Sequence, residues 1–211
     1  MIKEEIRSTI FNLLPKLDRT SKFHPRVIDA AIERVLMEMY QELFDENPLY
    51  LQRFTKGYGY TTPLAVAAEG TTGIYYTTLP AKVIPFRDKA SGVRRISTVV
   101  NTGLSFIPID QREADILTSG SFADMVTSKI GYMVTPERIE YYKMSGSVPT
   151  DGVRTDLIVP FSVYADTDNV LIPETKGPQG ETFIDRVLKI LQVIQPIDLL
   201  DNNADTVKGN E

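Results

Sequence analysis

Cysteine is absent and histidine occurs once among the 211 residues. The first absence excludes disulfides, thiolate metal sites and thiol nucleophiles together, so stability has to come from packing or from neighbouring subunits. The second rules out a histidine-rich metal site and restricts any Ser-His-acid triad to His24. His24 stands directly before Pro25 at a helix start, where a structural or exposed role is expected. No run approaches the roughly 18–20 apolar residues that a membrane-spanning helix needs. The opening Met1-Ile2-Lys3-Glu4-Glu5 turns acidic at once, unlike a basic-then-apolar secretory leader. Synthesis and use in the cytoplasm, or in an assembly built there, is the expectation, with no membrane partner.

The common nucleotide and nucleophile signatures are also missing. There is no Gly-Lys-Ser/Thr of a P-loop and no Gly-x-Ser-x-Gly or Ser-x-x-Lys of an activated serine. Gly57-Tyr58-Gly59-Tyr60-Thr61-Thr62 begins like a dinucleotide fingerprint but lacks its third glycine and follows a helical pattern instead of a strand. Asp166-Thr167-Asp168-Asn169 begins like a calcium loop, yet Leu171 replaces the glycine of the sharp turn and Gly177 the closing glutamate. A polar turn is the simpler reading. The acid pairs Asp110 with Glu113 and Glu137 with Glu140 are the remaining candidates for general acid and base work, although capping and solvent exposure account for them more simply. No catalytic residue, cofactor or metal is therefore expected.

What is present is ordinary globular material: 42% hydrophobic and 24% charged residues, enough apolar surface to bury a core. A net charge of −5 argues against a surface that grips nucleic acid over its whole extent. Ile6, Ile10, Leu13 and Leu14 recur at helical spacing before Pro15. Ile28, Ile32, Val35, Met39 and Leu43 form a second stripe after Pro25, with Asp29, Glu33, Arg34, Glu38 and Glu42 opposite. Pro48 opens a short third helix through Leu51 and Phe54, which Gly57 and Gly59 end.

From Tyr60 the texture changes to short runs of Thr, Tyr, Val and Ile. Strands are predicted over Ile74 to Thr78, Ala81 to Pro85, Val93 to Val100, Ser105 to Ile109, Ile130 to Val134, Arg138 to Lys143 and Thr155 to Tyr164. Helical interruptions are predicted at Gln111 to Leu117, capped by Asp110, and at Phe122 to Ser128. A last helix carries Phe183, Val187, Ile190, Leu191 and Ile194 before Pro196, and is expected to pack on the opening helices. The fold class is α+β, with helices from both chain ends together and a central antiparallel sheet or small sandwich. The expected parts are 1–59 helical, 60–170 β-rich, 171–196 returning to the helices, and an acidic tail over 197–211 that is mobile or ordered by a partner.

One local surplus stands out against the acidic whole: Lys82, Arg87, Lys89, Arg94 and Arg95 outweigh Asp88 by +4. A hairpin pairing Val83-Ile84 with Val93 to Ile96 would project these cations together, either toward phosphates or an acidic neighbour or as the charged edge of a soluble hairpin. They are the candidate interaction surface. Tyr58, Tyr60, Tyr75 and Tyr76 suit an interface or sheet packing equally.

The order of parts resembles the head-to-tail connector or ring (adaptor) proteins of tailed bacteriophages, particularly short-tailed and crAss-like phages. Three places carry the resemblance. The helical opening runs into Asn47-Pro48-Leu49-Tyr50-Leu51. A strand entry reads Tyr75-Tyr76-Thr77-Thr78-Leu79-Pro80-Ala81-Lys82-Val83, followed by Arg94-Arg95-Ile96. The close runs from Tyr164 through Leu171-Ile172-Pro173 to Phe183-Ile184-Asp185 and a helix. The resemblance implies a homo-oligomeric ring, a dodecamer being one candidate size, stacked between portal and tail proteins in the virion neck and enclosing a channel through which DNA passes. It implies no active site. Different classes of function stay open beside it: a virion-associated glycan hydrolase using an acidic pair, and a non-catalytic binding module.

Overall fold

The computed structural model describes residues 1–17, 23–70, 74–100, 104–118, 129–142, 151–174 and 181–198. The fold is α+β. By internal contacts the chain forms two units, Met1–Leu43 with Tyr164–Glu211, and Phe44–Val163. The predicted helix at Phe122 to Ser128 and the tail beyond Asp198 lie outside the described residues.

The helical unit follows from its apolar spacing. Helix α1 (Lys3–Leu17) buries Ile6, Ile10 and Leu14, and α2 (Pro25–Glu46) buries the whole predicted stripe together with Ala31, Leu36 and Tyr40. The last helix (Phe183–Asp198, numbered α4 below) buries Phe183, Val187 and Leu191 and packs on α1. Both α1 and α4 run two residues beyond the prolines expected to end them. A proline near the last turn removes one backbone hydrogen bond but keeps a helical φ, so the turn survives.

The helix starts are capped. His24 is exposed, and its Nδ1 accepts from the Arg26 backbone N–H at 3.2 Å. Thr182 and Asp185 form a reciprocal cap on α4. The stretch that mimics a calcium loop serves α1 instead. The Lys3 and Glu4 backbone N–H groups donate to the carbonyls of Asp168 and Asp166 at 3.0 and 3.2 Å, and Asp168 accepts from the Ala165 N–H. Charge ties the helices further: Arg7 grips Asp29 through Nε and Nη2 and reaches Asp166, while Arg186 forks onto Glu42 at 2.9 and 3.0 Å. Lys3 donates from a buried Nζ to the Tyr164 carbonyl, and burial holds its pKa below the usual lysine range.

The β-rich unit opens with the end of α2 and a 3-10 helix (Pro48–Phe54) whose cap, Asn47, accepts from the Leu49 N–H at 3.0 Å. Among the described residues eight strands follow: β1 (Lys56–Tyr58), β2 (Ala67–Ala68), β3 (Tyr75–Thr78), β4 (Val93–Thr98), β5 (Ser105–Pro108), β6 (Lys129–Val134), β7 (Arg138–Tyr142) and β8 (Val153–Leu157). Helix α3 (Gln111–Thr118) interrupts them between β5 and β6. They form a three-stranded sheet ordered β1-β8-β4 and a five-stranded sheet ordered β2-β3-β7-β6-β5. All pairs are antiparallel except β5 with β6, whose connection passes through α3 and so allows the parallel direction.

Two expectations are corrected here. Ala81 to Pro85 is not a strand, and the hairpin of Val83-Ile84 with β4 does not form; β4 pairs instead with β8 in antiparallel register. Ile84 instead donates its backbone N–H to the Ile158 carbonyl at 2.9 Å. Of the two glycines expected to end the short helix, Gly57 lies in β1 and Gly59 has positive φ, at 80°. A Cβ there would stand 2.6 Å from the Val153 carbonyl oxygen, so glycine alone permits this approach of chain to chain.

Ile32, fully buried at the centre of the helical stripe, is the most direct test of this packing. Ile32→Ala is expected to lower unfolding free energy by about 2–5 kcal/mol in urea titration. Leu13→Ala, at a half-buried position of α1, is expected to cost clearly less.

Candidate interaction surface

The five cations that lie together in sequence separate in the fold. Lys82, Arg87 and Arg95 are exposed. Lys89 reaches the start of α3, with its Nζ 2.6 Å from Glu113 Oε2 and 3.1 Å from Asp110 Oδ2. Asp110 and Glu113 also cap α3 reciprocally, each backbone N–H donating to the other's carboxylate at 3.0 Å. Hydrogen bonding to the Glu113 N–H, then to Lys89, holds the Asp110 carboxyl below its ordinary range, and Lys89 does the same for Glu113. A general acid needs the opposite shift. The second acid pair is divided: Glu137 is exposed in a turn, whereas Glu140 is buried in β7 between Arg138, which also reaches Glu69, and the Tyr142 hydroxyl at 2.9 Å. Burial, then Glu140, pushes the Tyr142 hydroxyl up to about 12.

Arg94 has the least expected position. It sits at a β-bulge, where the β4–β8 register steps from Val93 opposite Leu157 to Arg95 opposite Asp156. A bulge breaks the alternation of faces and re-aims a side chain. Val93 and Ile96 therefore keep their buried places, Arg95 stays outside, and the Arg94 side chain turns inward to 6% exposure. Its guanidinium lies over the Phe86 ring at 4.8 Å and near the Phe44 ring at 5.7 Å, two faces that suit a weakly hydrated planar cation. Nη1 donates to Asp88 Oδ2 at 2.6 Å.

Arg94, Asp88 and Tyr132 line a cleft of about 520 Å³ in this unit. The 3-10 helix contributes Pro48, Leu49 and Gln52, β4 contributes Arg95, Ile96 and Ser97, and β5 contributes Ser105, Phe106 and Pro108. The cleft thus opens where the outer edges of two sheets approach, since β4 ends one strand order and β5 the other. Burial, then the Asp88 charge, pushes the Tyr132 hydroxyl far above the usual tyrosine range, which keeps it a neutral donor. Among the described residues no three His, Asp or Glu side chains gather as a cation site, and no helix is long and apolar enough to cross a membrane. Sequence reasoning counted Arg94 as one more surface charge and had no signal for the bulge.

No protein-family model and no curated protein matches the chain.

The Lys89 bridge sets the sign of a titration experiment. Because both carboxyls are held down in the folded chain, their contribution to stability is complete above their unfolded pKa values and is lost as pH falls through the folded ones. In Lys89→Ala, carboxyl-carbon NMR is expected to show the Glu113 and Asp110 midpoints moving up, with Glu113 the more affected. Unmoved midpoints would refute the bridge.

Proposed function

We propose that the chain is a structural subunit of a phage neck or tail, assembling in the host cytoplasm into a homo-oligomeric adaptor ring between portal and tail proteins around the DNA channel. It has no catalytic role in this reading. The observation that carries the proposal is the cleft between the two sheet edges and its apolar rim. Leu49, on the cleft lining, is 67% exposed, and its neighbour on the same short helix, Tyr50, 48%. Unpaired edges and large apolar side chains held at one place suit completion by another chain.

A ring built by rotation joins one face of each subunit to a different face of the next, so such a cleft needs its complement elsewhere on the same chain. The resemblance in Asn47 to Leu51 falls on this short helix and its cap, which supports the same reading. The exposed Lys82, Arg87 and Arg95 then face either an acidic neighbour or the passing DNA. The hydrolase alternative finds no support in the acid pairs, one held as a helix cap with Lys89 and the other split between a turn and a buried network.

Sedimentation velocity of the purified chain, alone and with portal protein, tests the proposal. A discrete large oligomer, or assembly only on the portal, is expected, and a monomer under both conditions would overturn it in favour of a simple binding module. Leu49→Asp is expected to weaken assembly at least tenfold with unchanged circular dichroism, as for an anchor at the centre of an interface.

A further inference from the structure

We propose that the cleft at Arg94 is a receptor for an extended acidic peptide segment, whose carboxylate pairs with the guanidinium while its main chain lies along the free edges of β4 and β5. The proposal stands on the cleft alone, and a chain that remains monomeric with portal supplied would leave it untouched.

The argument begins with unsatisfied polar atoms. Arg94 uses one nitrogen: its Nε and Nη2 are buried with no acceptor, and so is Asp88 Oδ1 with no donor. Buried polar groups almost always find partners, because an unpaired one forfeits its hydration without return. Nε–H and the adjacent Nη2–H form the side-on edge of a guanidinium, two parallel donors spaced to meet both oxygens of a carboxylate. The same protein shows that edge in use, since Arg7 holds Asp29 through Nε at 2.6 Å and Nη2 at 2.5 Å. Arg94, a residue of the cleft lining, has an equivalent edge that is covered in the free protein, its side chain being only 6% exposed. Asp88 already occupies the other side, so the site carries a paired cation and accepts a second planar anion only with its neighbours' help. Tyr132, kept neutral, and Ser97 and Ser105 supply further donors along the cleft.

Two features select a peptide over a free anion. The cleft lies between β4 and β5, which have ladder partners on one side only, and an added strand gains main-chain hydrogen bonds there. Leu49, Phe106 and Pro108 supply apolar contact that phosphate could not use. Because both free donors are sealed from water, an entering carboxylate has to displace the groups that cover them, which makes association slower than docking on a rigid surface.

The test uses the full chain and a fluorescent, end-capped pentapeptide of alternating valine and threonine around a central glutamate, read by anisotropy. Saturable binding is expected, with the glutamine version of the peptide at least tenfold weaker. Arg94→Lys keeps the charge but lacks the side-on edge, and is expected to lose at least tenfold, whereas Arg95→Lys next to it changes affinity less than twofold. Should Arg94→Lys fail to fold, the glutamate-to-glutamine exchange decides by itself, since it leaves the protein untouched. Absence of saturable binding, or equal binding of the two peptides, would overturn the proposal. Inorganic phosphate and acetate are the competing probes. Displacement of the peptide by either at its own micromolar concentration would show a simple oxyanion site and overturn the strand-docking claim.

Discussion

Inward rotation of one cation at a strand irregularity is the constraint around which the β-rich unit is arranged. Burying a guanidinium is costly unless charge and hydrogen bonds replace its water. Here Asp88 supplies the charge, and Phe86 and Phe44 supply two aromatic faces. The segment from Val83 to Gly92 is shaped by that requirement. Ile84 is tied to Ile158, the Gly92 carbonyl accepts from the Ile158 N–H at 2.8 Å, and a Cβ on Gly92 would meet the Ile84 carbonyl oxygen at 2.5 Å. The loop is therefore close-packed against the sheet instead of reaching into solvent as a charged hairpin.

The helical unit depends on more familiar forces. Helices α1, α2 and α4 each bury apolar residues, and forked arginine contacts join Arg7 to Asp29 and Arg186 to Glu42. The turn at Asp166 to Asn169 closes the start of α1 with its carbonyls, which gives its acidic residues a structural purpose in place of a metal. Arg7, Asp29, Arg186, Glu42, Asp110, Glu113 and Lys89 are thus engaged in capping and bracing. That pattern agrees with a proposed role in assembly and leaves the candidate acid pairs committed elsewhere.

Helices were legible in the sequence because burial at a period near 3.6 writes itself directly into apolar spacing. Every member of the stripe Ile28, Ile32, Val35, Met39 and Leu43 is buried, and Asp110 caps α3 as its position suggested. Most strands were legible too, since β-branched and aromatic runs at β3, β4, β6 and β7 have few other uses. Partners were not. Ala81 to Pro85 has strand composition, but β4 pairs with β8, about sixty residues beyond β4 in the chain, and no local signal encodes that choice. The bulge has no compositional mark either, so five clustered cations looked alike while the fold assigned one to a helix cap, one to the interior and three to water.

The helical unit draws on both ends of the chain, while Phe44–Val163 is continuous. During synthesis the continuous portion emerges whole before α4 exists, and it is free to fold first. The helical unit meanwhile stays incomplete until Phe183, Val187 and Leu191, three of its buried residues, arrive. Completion of the helical unit thus reports that translation has passed through the continuous one, and a polypeptide ended before Phe183 would lack the last apolar face of that unit.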